Sequence, residues 1–95
     1  MYGVVRTRRF ERSFRKLKKS GVLKAAIEKK LEAAILLLAA RKPLPDSYQD
    51  HQLTGDAMRY RECHIKGNLL LVYEVLDDVL ILVLVDIGSH SQIFG

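Results

Sequence analysis

The chain carries three histidines, His51, His64 and His90, spaced 13 and 26 residues apart. That spacing matches no zinc motif, and Cys63, the only cysteine, cannot form a Cys-x-x-Cys pair. There is no Gly-rich phosphate loop, and no serine stands in a recognisable nucleophile turn. What remains is histidine acid–base chemistry beside positive charge. Imidazole titrates near neutral pH and serves as either acid or base. Each histidine alone also has a plain reading. His51 could hydrogen-bond within its loop, His64 could stand exposed on a strand, and His90 could cap the end of a sheet. Arg61 could pair with Glu62 or Glu74, Asn68 suits a turn, and Phe94 suits a core.

Chemistry from such distant residues needs a scaffold, and the last third of the chain reads as a sheet. Residues 58–65 form a strand with Met58, Tyr60, Glu62 and His64 on one face. Arg59, Arg61, Cys63 and Ile65 share the other. Cys63 and Ile65 mark theirs as the core face, which leaves His64 on the open side. Gly67-Asn68 makes a hairpin turn, and Leu69–Val75 and Val79–Val85 are nearly continuous apolar runs, typical of buried strands. A tail, Gly88 to Phe94, follows.

Ahead of the sheet, Tyr2–Val5 is a short strand, and Thr7 can cap a helix whose apolar stripe is Phe10, Phe14 and Leu17. Ser20-Gly21 ends it. A second helix runs from about Val22 to Ala40, burying Leu23, Ile27, Leu31, Ala34, Ile35 and Leu38. Leu36 and Leu37 widen that stripe, so the helix is expected to be largely covered. Pro43 and Pro45 forbid continuation, and Pro43 to Gly55 reads as a loop that Tyr48, His51 and Leu53 could pin. The expectation is a single α+β domain over residues 1–95, with an N-terminal strand and a two-helix hairpin packed on a small, mainly antiparallel sheet.

With 95 residues, 48% hydrophobic and 28% charged, the chain has the composition of one small folded domain. Its net charge of +5 is uneven: residues 1–30 hold 11 of the 16 Lys and Arg against two acids. Arg8, Arg9, Arg12, Arg15, Lys16, Lys18 and Lys19 crowd the first helix. Such a field suits a polyanion or an acidic partner, although a charge run can also be simply a solvated face. A lone cysteine, and a start without a signal-like apolar run, fit a cytoplasmic protein with no membrane partner.

Taken in order, Asp50-His51-Gln52-Leu53-Thr54-Gly55, Tyr60-Arg61-Glu62-Cys63-His64-Ile65, Leu71-Val72-Tyr73 and Gly88-Ser89-His90-Ser91-Gln92-Ile93-Phe94 look like the YafQ branch of the RelE family. These are toxins of bacterial type II toxin–antitoxin systems. The resemblance implies a RelE-like fold, an antitoxin partner and no cofactor. It also implies a ribosome-dependent endoribonuclease that cuts mRNA without a metal. By position it makes His51, His64 and His90 catalytic, with Asn68, Arg61 and Phe94 supporting catalysis or substrate positioning. It leaves the basic helix to bind RNA.

The chain departs from its relatives at Asn68, where they usually have Asp, at Leu69, where they have Trp, and at Asp86, where they tend to have a base. Asn68 cannot exchange a proton, and Asp86 would repel phosphate if it faced the site. A second reading is therefore a catalytically weakened homologue that binds an antitoxin and acts as co-repressor. A third is a gyrase poison of the ParE type, which shares the fold without the histidines.

Overall fold

The computed structural model describes all 95 residues. The elements are β1 (Gly3–Arg6), α1 (Arg8–Lys19), α2 (Ala25–Ala39), β2 (His51–Gln52), β3 (Arg61–Lys66), β4 (Leu69–Leu76), β5 (Ile81–Gly88) and α3 (His90–Phe94). The sheet has five strands in the order β1-β5-β4-β3-β2. Only β1 runs parallel to its neighbour; the other pairings are antiparallel. This is the α+β fold expected, with two elements added to it.

The helices start and stop for local reasons. Thr7 caps α1, its Oγ1 accepting from the Phe10 amide at 3.0 Å while the same hydroxyl donates to the Val85 carbonyl at 2.7 Å. Gly21, at φ +82°, turns the chain after the Ser20 cap. After α2 the Arg41 amide bonds to the Leu38 carbonyl and the Lys42 amide to the Leu37 carbonyl, at 3.0 and 2.9 Å. These are the two bonds of a Schellman cap, with Arg41 in the left-handed turn at φ +62°.

Packing follows the alternation of the strands. Leu69, Leu71 and Tyr73 of β4 join Cys63 and Ile65 of β3 and Leu82, Leu84 and Ile87 of β5 in the main core. Phe10 and Leu17 of α1 and Leu31, Ala34 and Leu38 of α2 cover it. On the opposite face Leu70 and Val72 bury under Ile93 of α3. Both faces of β4 are thus covered, as its unbroken apolar run requires.

Three expectations change. The second helix is not largely covered: Leu36 is 67% exposed, because its direction lies outside the stripe that meets the sheet. The stretch Pro43 to Gly55 is not all loop. It turns at Asp46–Tyr48, burying Tyr48, and then gives β2, which pairs with the edge of β3. The tail after β5 is helical, held by a capping box in which Ser89 Oγ accepts from the Gln92 amide and Gln92 Oε1 accepts from the Ser89 amide.

Candidate active site

The open face of β3 carries Glu62 and His64, and α3 places His90 beside them. Glu62, His64, Asn68, Leu70, Ser89, His90 and Ser91 line one cleft of about 390 Å³. His64 and His90, 26 residues apart in sequence, are brought together because β4 lies between β3 and β5 and α3 folds back over it. Asn68 reaches the cleft from the β3–β4 turn, where Gly67 takes the positive φ of 55°.

His51 reaches this cleft through a carboxylate. It sits directly opposite Glu62 in the β2–β3 ladder, with Nε2 3.2 Å from Glu62 Oε1. Its Nδ1 lies 2.7 Å from the Gln49 carbonyl. His64 Nδ1 lies 3.3 Å from the Gly67 carbonyl. A carbonyl only accepts, so in each bond the ring donates from Nδ1. When neutral, the His64 ring therefore turns an Nε2 lone pair outward, the form a general base needs, whereas His51 Nε2 faces the Glu62 carboxylate. His90 makes no hydrogen bond to the backbone. Its ring packs against Phe94, with centroids 5.0 Å apart, and Phe94 is 43% exposed.

Arg61 is not among these groups. It points to the opposite face of β3, where its Nε donates to the Tyr73 hydroxyl and its terminal nitrogen to Asp50, each at 3.2 Å. Tyr73 also donates to Asp50. Burial first, and the bond to Asp50 second, push the Tyr73 hydroxyl above its ordinary range. Arg61 pairs with neither Glu62 nor Glu74; Arg59 takes Glu74 at 3.2 Å. Cys63 is fully buried on that same face, and burial, with help from the charges of Asp50 and Glu62, pushes its thiol up to about 12. It has no nucleophilic form at neutral pH.

The basic helix divides. Arg6, Arg8, Arg12 and Arg15 line one exposed hollow with Glu11. Arg9 and Lys18 have structural partners instead: Arg9 pairs with Asp86 at 2.6 Å, and Lys18 with Glu28 at 3.2 Å. Asp86 is buried, does not line the cleft, and is neutralised by that arginine. The repulsion of phosphate expected of it is thereby removed.

Two features were not read from the sequence. Glu62 was seen only as an ion-pair partner, although its place on the open face two residues before His64 was a signal. The short α3 could have been found from Ser89-x-x-Gln92, the spacing of a capping box.

Comparison with known proteins gives the family and the fold. The family model for the YafQ toxin of bacterial type II toxin–antitoxin systems matches residues 2–95. A YafQ toxin of Haemophilus influenzae is 43% identical over 68 residues, covering 70% of this chain and 67% of that protein. The mRNA interferase toxin YafQ of Escherichia coli K12 is 35% identical over 60 residues, 63% of each chain. Among solved structures, a metal-bound toxin from Helicobacter pylori superposes with a TM-score of 0.87 at 37% identity, covering 99% of this chain and 100% of that one. The E. coli DinJ–YafQ complex gives 0.84 at 26% identity, with both chains covered in full. A family model matched over residues 2–95, with relatives and solved structures of the same family, places this protein in the YafQ family of bacterial type II toxin–antitoxin toxins.

Proposed function

We propose that this chain is a ribosome-dependent endoribonuclease that cuts mRNA by histidine acid–base catalysis and is held inactive by a protein antitoxin. The single observation that carries the reading is the cleft in which His64, Asn68 and His90 meet over Glu62. The partner rests on similarity to the E. coli toxin, which forms a complex with DinJ. Ribosomes set the cytoplasm as the place of action, and no helix here is long and apolar enough to cross a membrane.

Cleavage breaks the ribose 2′-O–H bond, forms a bond from that oxygen to phosphorus, and expels the 5′-oxygen. His64, whose Nδ1 donates to the Gly67 carbonyl, has Nε2 available to take the 2′ proton, and His51 pairs with Glu62 at the edge of the cleft. His90, free of backbone bonds, is the group left to protonate the leaving oxygen. Phe94 beside it offers an aromatic face to a base. Arg8, Arg12, Arg15, Lys16 and Lys19 supply a field for RNA phosphates without reading sequence. Arg61 acts at a distance, fixing β3 to Asp50.

The test is to induce the chain in cells with and without its neighbouring antitoxin gene and to map mRNA 5′ ends. New ends within ribosome-bound messages, lost when the antitoxin is present, are the expected result. Growth arrest without new ends would rule the nuclease out. Asn68 in the cleft favours one competing reading, the weakened homologue acting as co-repressor. That reading expects antitoxin and operator binding with no cleavage at all.

A further inference from the structure

We propose that the cleft continues into a subsite for one flanking nucleotide of the message, where Gln92 reads the base and Lys16 holds a phosphate, a role that rests on the nuclease reading above. Past Asn68 and Ser89 the cleft adjoins a second hollow of about 230 Å³, whose apolar wall is Leu17, Val22 and Leu69. Asn68 and Ser89 line both spaces. Leu17 and Gln92 in turn line that hollow and a third, of about 240 Å³, where Ser13 and Lys16 of α1 stand. The three make one trough that runs from His64 and His90 to α1.

The middle hollow has the make-up of a base-binding site: an apolar wall beside a few fixed polar groups. Val22 is 47% exposed there, next to the buried Leu23. Gln92 Oε1 accepts from the Ser89 amide at 2.8 Å. A backbone amide only donates, so the oxygen must be the atom on that side, and the side-chain NH2 is turned away from it with two donors free. Gly88 leaves room for this arrangement, since a Cβ there would come within 2.9 Å of Gln92 Oε1. The capping box thus fixes a pair of donors at the edge of an apolar wall, where a base carbonyl or ring nitrogen can accept from them. A glutamate at this position would cap α3 equally well but would put a second carboxylate oxygen where the NH2 now is. The cap therefore does not require glutamine, whereas an RNA base does.

The charge lies where a strand leaving the cleft needs it. Lys16 is exposed and has no carboxylate partner, unlike Arg9 and Lys18. Arg8, Arg12 and Arg15 line a different hollow, with Arg6 and Glu11. Of the basic residues of α1, Lys16 is the one that lines the trough, and Ser13 lies one turn earlier on the same side of the helix. Grooves that hold single strands combine cations that follow the backbone with surfaces against which bases lie. Lys16 and the wall of Leu17, Val22 and Leu69 supply one of each, beside the cleft.

The experiment measures cleavage of ribosome-bound messages that differ only in the bases flanking the cut, for the parent, Gln92→Glu and Val22→Trp. Glutamate keeps the capping-box acceptor and Val22 is exposed, so both changes spare the fold. Gln92→Glu should change the preferred base at one position adjoining the cut, by about 3- to 10-fold in kcat/KM, the worth of a single hydrogen bond. Val22→Trp fills the hollow and should erase the preference at that same position. Lys19→Gln, outside the trough, should weaken ribosome binding with the preference intact. A preference equal to the parent's in both trough variants, or a slowing that is uniform across sequences, overturns the subsite and leaves the nuclease reading standing. If the parent cuts nothing, the nuclease reading falls and binding decides the subsite: uncleavable 2′-O-methyl RNA tetranucleotides are titrated into the free toxin, followed by NMR. Shifts of the Leu17 and Val22 methyls and of the Gln92 side-chain amide then retain it as an RNA-binding trough. No such shifts with RNA, even where the antitoxin produces them, overturn it. The same titration of the parent decides if either variant fails to fold.

Discussion

Arg9, in the first turn of α1, closes on Asp86 of β5, with Nε 2.6 Å from a carboxylate that is almost wholly buried. The same guanidinium donates to the Ile93 carbonyl at 2.5 Å. One side chain thus ties the basic helix to the sheet and to the short helix that carries His90. The arginine that answers the buried acid comes from another element.

Replacing Arg9 by Ala should leave Asp86 buried and unpaired. Breaking a buried pair in this way costs about 3–5 kcal/mol. The half-exposed arginine puts the expected loss nearer 1–3 kcal/mol, since solvent screens its side of the pair. Urea unfolding would measure it, and an unchanged midpoint would show that Asp86 is solvated after all.

His90→Ala should abolish growth arrest while the fold survives. His90 is exposed at the start of α3, and its removal touches only the packing on Phe94. Loss of one proton-transfer group lowers cleavage by roughly 10²–10⁴-fold. A soluble, folded variant as toxic as the parent would remove His90 from the mechanism.

Changing Arg12, Arg15, Lys16 and Lys19 together to Gln should weaken ribosome binding and flatten its salt dependence. Four lost phosphate contacts reduce the log–log slope by about 3. Arg9 and Lys18 do not belong in that set, because their charges are engaged by Asp86 and Glu28. A salt slope equal to the parent's would make the helix a solvated face only.

Asn68→Asp should raise single-turnover cleavage, by anything from nothing to roughly the 10²-fold low end for one acid–base group. Asp suits the turn as well as Asn does. A faster variant with a new acidic limb in its pH profile would mean the family's carboxylate shares the proton work. Identical rates and profiles would leave Asn68 as turn chemistry.

Cys63 should resist thiol reagents in the folded protein at neutral pH and react on unfolding. Its thiol is raised from 9.0 to about 12 by burial. The sign for stability follows: the folded state holds this proton more tightly, so its contribution is complete below pH 9 and is lost as pH rises towards 12. Rapid labelling of the native protein at pH 7 would contradict the burial.

The elements with strong local signals were legible in sequence. Thr7 capped its helix, Gly67 turned the β3–β4 hairpin, and Cys63 and Ile65 correctly marked the core face of β3, because caps, turns and alternation are set by neighbouring residues. The same alternation also put His64 on the open side and Arg61 opposite it. The two-residue strand β2 had no signal of its own, since it exists only through its pairing with β3. Nor could sequence assign Arg9 and Lys18 to Asp86 and Glu28 rather than to RNA. Ion pairs form between residues that folding brings close, and Arg9 meets an acid 77 positions away. Likewise, that His64 and His90 share a cleft, with His51 joined to it through Glu62, was decided by strand order and register. Chain spacing carries no information about distances across a sheet, and strand order and register are what set them.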